Sequence, residues 1–235
     1  MASTLLDGAL APTSRRGFFR RAGLGLGAVA AASALQGCDP SDDIDVGGDG
    51  VTLDFSDDFG VLNYAYALEQ LEYAFYEAVL GGGYFTSLAA SSDERRVLQD
   101  LRDHELAHVD FFNAALGNNA IGDLEADFSS VDFDDRTSVL TTSRTLEDTG
   151  VSAYNGAGRY LRDAGLLTIA GKIVSVEARH AAAIRSILNP DGMSFAGDDV
   201  VDENGLDVVA TPSQVLSAAG GFIVTPIRLT NVPSS

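Results

Sequence analysis

Two short motifs occur twice in this chain, in the same order, and they leave few folds open to it. Glu69 is followed seven residues later by Tyr76, and further on Glu105 is followed by His108. The pattern returns as Glu147 with Tyr154, then Glu177 with His180. Positions three apart share a face of an α-helix, so each Glu-x-x-His aims a carboxylate and an imidazole at one point. With three His and nine Glu in the chain, chance would put a Glu three residues before two of the three His on the order of one time in two hundred.

The spacing also sets the architecture. Glu69 and Glu105 lie 36 residues apart and Glu147 and Glu177 lie 30 apart, so each half reads as one helical hairpin. Two facing hairpins bring four carboxylates and two imidazoles together at mid-height, the ligand set with which carboxylate bundles hold two metal ions. Four carboxylates against two divalent cations make a neutral site, which lowers the cost of burying the charges. Hard oxygen donors with imidazole suit two Fe or Mn ions, and Zn also fits.

Four helices are expected, over 58–80, 92–116, 138–163 and 165–188. Gly81-Gly82-Gly83 stops the first, Ser92 caps the second, and Asn189-Pro190 ends the fourth. At 1.5 Å per residue they build a bundle roughly 35 Å long. The stretch 117–137, with Phe128, Val131 and Phe133 among Asp residues, is the long crossover that two hairpins need. The fold class is therefore all-α, an antiparallel four-helix bundle over 58–189. Residues 190–235 are too few for a second domain and read as an irregular C-terminal extension packing on the bundle.

Residues 1–37 read as an address. Ser14-Arg15-Arg16-Gly17-Phe18-Phe19-Arg20 resembles the twin-arginine export signal, with Arg15 and Arg16 as its pair, and a Gly/Ala-rich apolar stretch runs from Ala22 to Ala34. Those 13 residues are fewer than the ~20 of a membrane span. Leu35-Gln36-Gly37-Cys38 resembles a lipoprotein processing box, with an unusual Gln36, and makes Cys38 the expected lipidation site. Residues 38–57 are Asp- and Gly-rich and read as an acidic linker. The expected location is outside the cytoplasm: the outer face of the cytoplasmic membrane, the periplasm or the cell surface. The twin-arginine machinery and a lipid anchor are the partners implied.

Composition removes other classes. From residue 38 on there are 33 acidic against 11 basic side chains, a net of −22, and Lys172 is the only lysine. Such a surface repels nucleic acid and anionic lipid. Cys38 is the only cysteine, so a disulfide within the chain and a Cys-ligated rubredoxin-type iron are both excluded.

Four stretches carry a family resemblance: Ala67-Leu68-Glu69-Gln70-Leu71-Glu72-Tyr73-Ala74-Phe75-Tyr76, His104-Glu105-Leu106-Ala107-His108, Glu147-Asp148-Thr149-Gly150-Val151-Ser152-Ala153-Tyr154 and Val176-Glu177-Ala178-Arg179-His180. In them the chain resembles the ferritin-like superfamily, and within it the ferritin-like domain proteins that include the desiccation-related proteins. The resemblance implies that Glu69 and Glu147 are terminal ligands, that Glu105 and Glu177 bridge, and that His108 and His180 serve one metal each. Glu72 also lies on the ligand face, and the interval to Tyr76 favours Glu69. Tyr76 and Tyr154 either hydrogen-bond the ligand shell or fill the core, and His104 is surface or outer shell. A di-metal oxidoreductase acting on O₂ or peroxide in stress protection is implied, catalase-like because no outside electron donor is needed. The alternative is a non-catalytic iron-binding or structural envelope stress protein. No residue beyond the metal set is assigned to catalysis, and a homodimer is the assembly open to it.

Overall fold

The computed structural model describes residues 50–190, 192 and 194–233. Arg15, Arg16, Cys38 and the linker up to residue 49 lie outside the described residues. Strand β1 (Val51–Asp54) is followed by helix α1 (Asp58–Gly81), a short helix α2 (Gly83–Ser87) and helix α3 (Asp93–Leu116). After the crossover come helix α4 (Arg136–Ala157) and helix α5 (Ala164–Leu188), then helix α6 (Pro212–Ala219) and strand β2 (Ile227–Thr230). No helix among the described residues is long and apolar enough to cross a membrane.

Each long helix starts where a side chain satisfies its free N–H groups. Asp57 accepts from the Gly60 N–H, Ser92 from Arg95, Asp135 from Ser138 and Asp163 from Leu166. The cap at Asp163 also corrects a boundary. The third helix was expected to run to Asp163; it ends at Ala157, and a 3₁₀ turn over Gly158–Tyr160 intervenes. The Asp58 carboxylate accepts from the Arg162 and Asp163 N–H groups, tying this turn to the start of α1.

Buried residues recur at alternating intervals of three and four on every bundle helix, the spacing of an apolar seam. On α3 they include Leu98, Leu101, Glu105, His108, Phe112 and Leu116. On α5 they include Leu166, Ile173, Glu177, His180 and Ile184. The titratable residues thus occupy ordinary core positions in place of Leu. α1 is buried on nearly all sides from Gly60 to Glu69, because the strands, the crossover and the other hairpin all cover it.

The crossover lays Phe128 and Phe133 against Phe75, with ring centroids 5.6 and 6.1 Å away. The chain after Pro190 also contributes to the core through Val215 and Ala219, both 1% exposed. Gly156 allows this: a Cβ there would lie 1.8 Å from the Ala210 carbonyl oxygen. Residues 51–54 depart from the linker expected there. They pair in parallel with β2, Val51 opposite Ile227, and bury Leu53 completely.

Candidate metal centre

The seams of α1, α3, α4 and α5 meet at mid-bundle in a cluster of six residues. Glu69, Glu105, Glu147 and Glu177 are 0% exposed, and His108 and His180 are buried with them. Two overlapping groups form. Ligand-capable atoms of Glu69, Glu105, His108 and Glu177 lie within 4.8 Å of one another, as do those of Glu105, Glu147, Glu177 and His180.

The two shared carboxylates are oriented alike. Glu105 turns Oε2 toward His108 Nδ1 (3.3 Å) and Oε1 toward His180 Nδ1 (2.9 Å). Glu177 turns Oε1 toward His108 Nδ1 (3.0 Å) and Oε2 toward His180 Nδ1 (3.5 Å). Each thus presents one oxygen to each imidazole. The other two carboxylates divide their oxygens differently. Glu147 accepts from the Tyr76 hydroxyl at Oε1 (2.5 Å) and keeps Oε2 in the cluster, 3.4 Å from His180 Nδ1. Glu69 accepts from the Tyr154 hydroxyl at Oε1 and places Oε2 2.9 Å from His108 Nδ1. Each tyrosine crosses to the carboxylate of the other hairpin.

Burying this many polar atoms is costly unless each finds a partner. Among the described residues seven buried side-chain atoms have no hydrogen bond, and five are here: Glu105 Oε1, Glu147 Oε2, both Glu177 oxygens and His180 Nδ1. They lie close together without the alignment a hydrogen bond needs. Carboxylate oxygens and imidazole nitrogens that converge with no aligned hydrogen bond between these atoms suit a cation. The donor set therefore fits metal ions.

Without cations the charges can be relieved only by protons. Burial, followed by the charge of Glu177, pushes Glu105 up to about 8. Burial alone would raise Glu177 too, but the His108 and His180 imidazoles close to its two oxygens outweigh it and hold it at about 2. Two facing carboxylates part in this way because both cannot ionise cheaply at short range. Burial works against charged imidazoles, yet the surrounding carboxylates drive His108 and His180 well above the usual histidine range.

Three further residues complete the surroundings. Glu72 is buried one turn from Glu69, and burial with the charges of Glu177 and Glu105 raises its pKa well above the usual value. Its carboxylate lies against Gly150, where a Cβ would sit 2.8 Å from Oε1. Glu72 stands outside both four-residue groups. His104 lies beside His180 with ring centroids 5.1 Å apart, its Nδ1 2.8 Å from His180 Nε2. His104 and His108 sit four residues apart around Glu105, as in the zinc-helix motif H-E-x-x-H, but His104 belongs to neither group. Ser143, which sequence reasoning passed over, lies 2.5 Å from the Tyr76 hydroxyl. Its only signal was its place four residues before Glu147.

A comparison with curated proteins finds no match. A family model does match: the ferritin-like domain covers residues 57–190, more than half of the sequence and all of the cluster. With four seam helices joined by a long crossover and this carboxylate–imidazole centre between them, the chain belongs to the ferritin-like domain family.

Proposed function

We propose that this chain is an exported di-metal carboxylate protein that reacts with O₂ or peroxide. Glu69 and His108 would hold one ion and Glu147 and His180 the other, with Glu105 and Glu177 shared between the two positions. The observation that carries the reading is the division of the Glu105 and Glu177 oxygens, one toward each imidazole, with five buried atoms there lacking any hydrogen bond. A bound Fe or Mn pair supplies the change of oxidation state that O₂ or peroxide chemistry requires.

The side chains around it do the rest. Tyr76 and Tyr154 each hold one oxygen of Glu147 and Glu69, which leaves the other oxygen for a metal. The four carboxylates are 0% exposed, so bulk water is kept away and only very small molecules gain entry. This closure also favours the second reading, a non-catalytic iron-binding or structural envelope stress protein. With Cys38 the only cysteine, no Cys-ligated iron feeds electrons in, so peroxide dismutation, which needs no donor, suits an isolated protein.

Purified protein loaded with Fe(II) or Mn(II) should hold two ions per chain by elemental analysis. It should then consume O₂ or decompose peroxide. Two ions with neither activity would leave the non-catalytic reading; no bound metal would end both. For export, replacing Arg15 and Arg16 by Lys should retain the protein in the cell, and Cys38→Ser should release it from the membrane fraction. Undiminished export of the Lys pair would remove the twin-arginine route.

A further inference from the structure

The two imidazoles of the centre differ in what stands behind them. His180 turns Nδ1 inward, toward Glu105 Oε1, Glu147 Oε2 and Glu177 Oε2. Its Nε2 faces the other way, 2.8 Å from Nδ1 of His104. The two ring planes are 8° apart and their centroids 5.1 Å apart. The ring radii and the N···N separation together span that whole distance, so the rings lie side by side in one plane. This is the geometry of a hydrogen bond between ring nitrogens and not of face-to-face packing.

The direction of the bond follows from the chemistry of the centre. A neutral imidazole carries one N–H, and a nitrogen that ligates a cation cannot carry it. With Nδ1 of His180 given to an ion, the proton sits on Nε2 and is donated to His104. Nδ1 of His104 therefore accepts, and the proton of His104 sits on its own Nε2.

The repeat supplies this partner once. His104 stands one residue before Glu105, about 100° round the helix, and so meets His180 on α5 from beside the inward seam of α3. In the other half Val176 stands before Glu177. By the same symmetry Val176 takes the place beside His108, and a valine side chain offers no acceptor.

We propose that His104 is a positioning residue that holds His180 with Nδ1 aimed at the carboxylates, and so makes the His180 position the tighter and first filled of the two. The inference rests on the proposed function and adds to it an order of loading. An imidazole whose far N–H is accepted is fixed in ring orientation, and its ligating nitrogen becomes more basic. Partners of this kind are worth about 10–100-fold in metal affinity. His104 belongs to neither four-residue group, so its loss should leave the His108 position alone.

Calorimetric titration of metal-free protein with Mn(II) should resolve two steps of unequal affinity, and His180→Ala should remove the tighter one. His104→Leu should weaken that step by about 10–100-fold and leave the other unchanged. His104→Asn, whose Oδ1 can stand in for Nδ1, should restore most of the loss. A residue that only pins α3 to α5 would lower both steps alike, and Asn would then fare no better than Leu. Either outcome, or a tighter step that survives His180→Ala, would overturn the inference. A second readout needs neither metal nor variant: NMR of labelled wild-type protein should show nitrogen–nitrogen coupling across the His104–His180 bond, and its absence would overturn the inference as well. No uptake of Mn(II) by the wild type would end the proposed function and the loading order with it. Two equal steps would end the loading order alone.

Discussion

The α1–α3 hairpin and the α4–α5 hairpin are two versions of one unit, and their differences are as informative as their matches. Glu69 corresponds to Glu147, Tyr76 to Tyr154, Glu105 to Glu177 and His108 to His180. All eight side chains are buried around one centre. One turn away the correspondence fails. Glu72 faces Gly150, its own counterpart; His104 is matched by Val176, and Ala65 by Ser143. The matched residues gather the donors, while the unmatched ones give each half its own surroundings. His180 gains an imidazole beside it and Tyr76 gains a hydroxyl.

If the matched residues are equal partners, the largest effects should be symmetric. His108→Ala and His180→Ala should each remove about one metal per chain, read by elemental analysis after Fe(II) or Mn(II) loading. Glu105→Ala or Glu177→Ala should weaken both positions. Loss of both ions from either His variant would show that the two halves do not hold metal separately.

Acidity should move the centre as a whole, to a smaller degree. Metal-free folded protein retains protons that the unfolded chain has released, since Glu105 is pushed up to about 8 and Glu147 is also raised by burial. Its stability should therefore fall as pH rises from the ordinary carboxylate range toward 8. Cations displace those protons. The gain in Tm on loading should grow between about pH 5.5 and about pH 8, measured by calorimetry with and without metal. A gain that shrinks with pH would contradict the proton-filled metal-free centre.

A third test forces the unmatched pair toward symmetry. Gly150→Ala puts a methyl group 2.8 Å from Glu72 Oε1 and should cost about 1–3 kcal/mol in denaturant unfolding, the usual effect of overpacking. Adding Glu72→Ala should recover part of that loss, because the two positions touch. Strict additivity would mean that Gly150 serves some other neighbour.

The smallest effect compares the tyrosines. Tyr76 meets both Ser143 and Glu147, whereas Tyr154 is bonded to Glu69 alone. Tyr76→Phe should therefore be the more destabilising variant, by about 1 kcal/mol, the net worth of one hydrogen bond. Equal losses would remove Ser143 from the comparison.

What the sequence made legible is what one dimension carries. The Glu-x-x-His pairs, the Glu-to-Tyr interval and the helix caps at Ser92 and Gly82 are local patterns, and the helical period turns them into faces and ends. The bridging role expected of Glu105 and Glu177 came from the family resemblance, not from the spacing; the structure turns one oxygen of each toward each imidazole. Gly150 was opaque because its reason is a carboxylate on another helix. The strand at residues 51–54 was opaque because its partner lies at 227–230, and the alternation Val51-Thr52-Leu53-Asp54 is too short to stand out beside an Asp- and Gly-rich stretch. The bond between His104 and His180 joins α3 to α5, and no spacing along the chain announces it.

The β1–β2 pair has a kinetic consequence. Its strands come from opposite ends of the described chain, with the whole bundle between them. Bringing such distant segments together carries a loop-closure cost that only a formed bundle removes. The pair should be the last part to assemble and the first to open. Leu53, wholly buried there, would then be an early reporter of fraying in hydrogen exchange, released before any residue of the metal centre.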